Sequence, residues 1–145
     1  MMLSDDSMKC ATAEIAPFIH ELVHDVPALQ AVLDQHLQDF GELLTHLFMG
    51  DVARWAAARA EISLDDKEID KLLSFFESRY ATSNIWVKNL INVSFIEYLG
   101  YESPLATRFG PQMREAYVEL WEYLSRLAVA ANDATVPRKK PWWRK

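Results

Sequence analysis

The chain has 145 residues, half of them hydrophobic and 12% aromatic, with 15 Lys+Arg against 21 Asp+Glu for a net charge of −6. That length supports one domain able to bury a real core, and that apolar content excludes intrinsic disorder for the body. Residues 1–131 hold 10 Lys+Arg against 20 Asp+Glu, a balance of −10, while residues 132–145 hold 5 Lys+Arg against Asp133 alone, a balance of +4. An acidic body repels nucleic acid and attracts basic partners.

With only 4 glycines and few β-branched residues beside Leu, Ala and Glu, the composition favours helix. Residues 1–13 carry Asp5, Asp6 and a lone Cys10 that has no partner for an internal disulfide. They read as a flexible lead without the apolar core of a signal peptide, and no run reaches membrane-span length. A cytoplasmic setting is the expectation.

The first amphipathic helix sets Ile15, Phe18, Ile19, Leu22, Val23 and Val26 on one stripe. It carries His20-Glu21-Leu22-Val23-His24, the H-E-x-x-H pattern in which two imidazoles one turn apart grip zinc and the glutamate activates a bound water. Both histidines lie far from the centre of the apolar stripe, on the side expected to face water. A zinc hydrolase needs them turned into a cleft with a third ligand, and no strand signal is present to hold a substrate edge. The preferred reading is therefore no metal and no cofactor, with His20 and His24 as the metal-ligand alternative.

Val26-Pro27 breaks the chain, and the spacing of Leu29, Leu33, His36, Leu37, Phe40, Leu44 and Leu47 predicts one helix to about Phe48, kinked at Gly41. His36 lies inside this apolar stripe, where a histidine needs hydrogen-bond partners. Gly50-Asp51 predicts a second break, with Asp51 as N-cap of a short helix. Ser63-Leu64-Asp65-Asp66 resembles a capping box before the stripe Ile69, Leu72, Leu73, Phe76 and Tyr80. Thr82-Ser83-Asn84 separates that helix from Ile85–Leu99, which is apolar nearly all round and predicts a buried central helix ending at Gly100. Its polar residues Asn89, Asn92, Ser94 and Glu97 are expected to hydrogen-bond neighbouring helices.

Ser103-Pro104 opens a short helical turn, and Gly110-Pro111 begins the last helix, striped by Met113, Tyr117, Leu120, Trp121, Leu124, Leu127, Ala128 and Ala131. The fold class is all-α, an irregular bundle of five to six helices around the segment 85–99, with a single helical domain over 14–131. The remaining residues, 132–145, form a basic tail with Trp142 and Trp143, suited to an anionic surface or to folding back on the acidic body.

His46, Asp51 and Arg54 cluster where two helices meet. A capping role accounts for Asp51 but not for the nearby His and Arg, so the three are candidates for a partner-binding surface, together with the acidic pair Asp65 and Asp66. No phosphate loop, nucleophile elbow or Cys/His metal pattern occurs, so no catalytic residue is assigned.

The stretches "VLDQHLQDFGELLTHLFMGDVARW" and "VKNLINVSFIEYL" resemble a family of small helical bacterial proteins, some of which lie beside polymorphic or contact-dependent toxins as candidate immunity proteins. The likeness spans about half the chain and rests on His36, Leu43, Leu44, His46, Gly50, Asp51 and Arg54, then Asn89, Ser94, Phe95 and Glu97. It implies a non-enzymatic protein that binds one cognate toxin, one-to-one, and blocks its active site, as on a nuclease. The competing readings are a zinc hydrolase built on His20, Glu21 and His24, and an accessory protein that binds anionic surfaces through its tail.

Overall fold

The computed structural model describes the backbone of residues 5–131 and the side-chain surroundings of residues 13–130; the tail from 132 onward lies outside it. Among the described residues every regular element is helical. Helix α1 spans Asp5–Asp25 and so begins inside the stretch read as a lead. Its stripe Ile15, Phe18, Ile19, Leu22, Val23 and Val26 is buried throughout. A 3-10 turn, Pro27–Leu29, leads directly into α2, Gln30–Phe40.

Helix α2 stops where a kink was expected. Gly41 adopts φ +73°, a left-handed conformation that glycine enters without a Cβ penalty, and its N–H donates to the Leu37 carbonyl. The chain then re-enters helix as α3, Thr45–Ile62, which runs unbroken through Gly50 and Asp51. Asp51 is therefore an interior residue of α3 and not an N-cap, a correction to the sequence reading. The glycine with positive φ ends a helix, whereas Gly50 is accommodated within one.

Helix α4, Lys67–Tyr80, is capped by Asp66, whose carboxylate accepts from the N–H groups of Glu68 and Ile69. The expected capping box thus starts at its last residue; Ser63 instead closes α3, donating its N–H to Arg59. Phe18 of α1 meets Phe75 and Phe76 of α4 at centroid distances of 5.3 and 6.3 Å, and Phe76 meets Phe95 edge-on at 4.7 Å. These aromatics join the first half of the chain to the second.

The central helix, α5, consists of three successive segments: Ile85–Asn89, capped by Asn84; the π-wound Leu90–Ile96; and Glu97–Leu99. In the middle segment the ladder reaches five residues back, as where the Glu97 N–H donates to Asn92. It packs most heavily on α3 and also touches α1 and the last helix. Val87, Leu90, Ile91, Phe95 and Ile96 are buried, but Ile85, Asn89, Val93, Glu97 and Tyr98 are exposed. The helix is central but not apolar-buried all round, because among the described residues no helix lies against one of its faces.

After a 3-10 turn, Pro104–Arg108, helix α6 spans Pro111–Ala131. Glu77 of α4 caps it from outside, accepting from the N–H groups of Gln112 and Met113. Gly110 makes room for that carboxylate: a Cβ there would lie 2.6 Å from the Glu77 Cδ. Tyr117 is buried and donates its hydroxyl to the Tyr101 carbonyl; burial, with Tyr101 and Glu102 nearby, pushes its pKa up to about 12. No helix among the described residues is long and apolar enough to cross a membrane.

Candidate functional site

The turn from Gly41 to Leu44 is held from beneath by His36. The Leu44 N–H donates to His36 Nε2 at 3.0 Å, so that nitrogen carries no proton, and Nδ1–H donates to Asp51 Oδ2 at 3.2 Å. The ring is 1% exposed and sits between Phe40 and Phe48. It is the hydrogen-bonded core histidine that its place in the stripe predicts, and both of its nitrogens are committed. Asp51 offers its other oxygen to Arg54, one turn along α3. Arg54 remains largely exposed, with its guanidinium 6.0 Å from the Tyr98 ring centroid. One carboxylate thus connects a buried imidazole to a guanidinium at the surface.

A second contact bridges α3 to α5. His46 Nδ1 and Ser94 Oγ are 2.5 Å apart, and partial burial of the imidazole lowers the His46 pKa. The two side chains share one hydrogen bond, with the imidazole's tautomer setting which of them donates. A serine beside a histidine suggests a nucleophile with its base, but a triad needs a carboxylate behind the imidazole. Asp51, the nearest acid along α3, is engaged by His36 and Arg54. The pair's evident work is to tie the π-wound segment of α5 to the first turn of α3.

Between these two contacts lies a groove of about 430 Å³, walled by Phe40, Leu47, Val93 and Tyr98, with His46, Gly50, Asp51, Arg54 and Ser94 completing it. The four wall residues are 45–51% exposed, large apolar side chains left at the surface on one concavity. Grouped exposure of this kind marks an interaction surface more strongly than scattered apolar residues do. A shallower depression of about 390 Å³ along α2 shares Asp51 and Arg54 as its wall.

Gly50 sits in the groove without a structural reason of its own. Its φ is not positive, and a Cβ added to it would meet nothing within 4 Å. Glycine inside a helix costs about 1 kcal/mol relative to alanine, and here nothing within the described fold requires it. Its effect is to leave bare backbone on the groove wall, where another group can approach closely.

The other candidates lie elsewhere. Asp65 and Asp66 follow the far end of α3, an 18-residue helix about 27 Å long. Asp66 is occupied by its capping role and by Arg59 at 3.0 Å. Desolvation pushes its carboxyl up, but the hydrogen bonds from Ile69, Arg59 and Glu68 outweigh that and hold it below the ordinary aspartate value. His20 and His24 are exposed on α1, and Glu21, the general base of the zinc alternative, pairs with Arg79 of α4. No group of three or more potential metal ligands occurs among the described residues. His46, Asp51 and Arg54 come together on one wall of the groove. Sequence reasoning missed its apolar half: it placed Phe40 and Leu47 on a buried stripe and Val93 and Tyr98 in a helix buried nearly all round, whereas all four are exposed.

A family model described as a domain of unknown function (DUF7674) matches residues 19–122. The chain belongs to this family. The DUF7674 match contains every residue of the groove as well as the H-E-L-V-H pentad, and it stops short of the basic tail. No curated protein and no solved structure matches the chain significantly.

Proposed function

We propose that the protein acts by stoichiometric binding and not by catalysis: an immunity protein that docks one-to-one on a cognate toxin domain and blocks its active site. The observation that carries the binding part is the groove itself, an apolar concavity open to solvent on a strongly acidic body. Apolar anchors in a desolvated pocket supply most of the energy of an interface, while surrounding charge selects and steers the partner. Asp39 and Glu42 beside the α2–α3 turn and Glu97 on α5 are exposed acids near this surface. They favour a partner with a basic cleft, as a nuclease has. The toxin assignment rests on the resemblance of the α2–α3 and α5 sequences to candidate immunity proteins.

The test is co-expression of the protein with the toxin-domain product of the adjacent gene, scored by cell survival, together with the mass of the purified complex. Survival and a one-to-one complex whose on-rate falls with salt are expected. Survival no better than without the protein, with no complex, removes the immunity reading.

A further inference from the structure

We propose that the groove is also a docking site for the chain's own C-terminal segment, residues 138–145, with Trp142 and Trp143 as anchors. An occupant of this groove needs apolar bulk, a flat surface to lie on the bare Gly50 backbone, and positive charge toward the acidic body. The sequence supplies all three in Arg138-Lys139-Lys140-Pro141-Trp142-Trp143-Arg144-Lys145. Indole rings fill concave apolar sites and stack on exposed peptide planes and on Arg54-type guanidinium faces. The charge balance of +4 for residues 132–145 against −10 for the remainder draws the two together.

Reach does not limit the contact. Residues 132–145 extend up to roughly 46 Å from the end of α6 at Ala131, and a domain of this size is roughly 35 Å across. Tethering gives the segment an effective concentration on the order of millimolar, so a weak contact suffices for occupancy. The rival site is the outer face of α6, where Tyr123, Leu127 and Val129 are exposed close to the tail's origin. That face belongs to a single convex helix, whereas the groove offers walls from α2, α3 and α5. Occupancy by the tail also covers an apolar surface that would otherwise promote self-association, and it makes the tail a tethered competitor of any partner that uses the same groove. The contact needs no partner, so its test stands apart from that of the immunity reading.

The experiment compares amide and side-chain NMR spectra of the full chain with those of the full-length W142A/W143A variant. Shift changes are expected at Leu47, Gly50, Val93, Ser94 and Tyr98, with the Gly50 signals moving as an indole ring current is removed. Full-length Gly50→Leu, which fills the groove where a Cβ meets open space, is expected to release the tail and give its indole signals the positions they take in a free peptide of residues 132–145. Circular dichroism confirms that both variants stay folded. Changes confined to Tyr123, Leu127 and Val129, changes confined to the tail itself, or tail signals unaffected by Gly50→Leu would each overturn the assignment.

Discussion

Residues 15–26 and residues 37–47 carry apolar side chains at similar helical spacing, yet the structure uses them differently. In the first stretch every member of the stripe is buried against α4 and its neighbours. In the second, Leu37, Phe40 and Leu47 are 39–51% exposed. The difference lies in the partners. Helix α1 has α3, α4 and α5 against it, while α2 ends at Gly41 before its stripe can turn back onto the core. Periodicity tells which residues share a face; it does not tell whether the fold has an element left to cover that face.

Truncation is the most direct way to test this contrast. Phe76→Ala and Phe95→Ala remove fully buried rings and are each expected to cost about 3–5 kcal/mol in urea unfolding. Phe40→Ala and Leu47→Ala are expected to cost about 1 kcal/mol or less, because water already reaches half of each side chain. Equal losses at the two sites would mean that the groove is part of the core.

His36→Ala sharpens the contrast from within the second region. It strips the Leu44 N–H and the Asp51 carboxylate of their buried partner and is expected to cost about 1–3 kcal/mol. A conservative loss below ~0.5 kcal/mol would show that the α2–α3 turn is held by something other than the imidazole.

The two glycines outside left-handed conformations, Gly50 and Gly110, are expected to respond with opposite sign. Gly50→Ala should stabilise by about 0.5–1 kcal/mol, since helix propensity improves and the new methyl meets open space. Gly110→Ala drives a methyl into Glu77 and displaces the carboxylate that caps α6, for a loss of about 1 kcal/mol. Melting temperatures of the two variants, moving in opposite directions, check this pair.

The smallest expected effect is that of His46. Its folded pKa lies below the ordinary histidine value because burial disfavours the imidazolium. The unfolded chain therefore takes up the proton first, and stability is lost as pH falls from about 6.5 toward the lowered folded value. An NMR titration of His46 with a midpoint at or above 6.5 would contradict the assignment, and His46→Gln should flatten that part of the stability profile.

Much of the fold was legible because helix-forming composition and apolar stripes agree along α1, α4 and α6. The breaks were harder to place. Gly41 and Gly50 look alike in sequence, and only the tertiary demand that α3 lie against α5 decides which one interrupts the helix. The polar half of the site was legible too, since His46, Asp51 and Arg54 fall within one short stretch of α3. The apolar half was not, because a large apolar residue carries no local mark of whether it will be covered. Likewise nothing local announces the π winding of α5, where Asn92 reaches Tyr80 and Ser94 reaches His46.

That π-wound segment has a consequence best expressed as insertion and deletion. A π turn holds one more residue between donor and acceptor than an α turn, so Leu90–Ile96 can be regarded as an α-helix carrying an extra residue. Deleting exposed Val93 would let the ladder close as ordinary α-helix, with the buried contacts before and after it kept in register. Such a shortened chain should fold, and it should have lost one wall of its groove. In this protein the spare residue of a helix has become part of a surface.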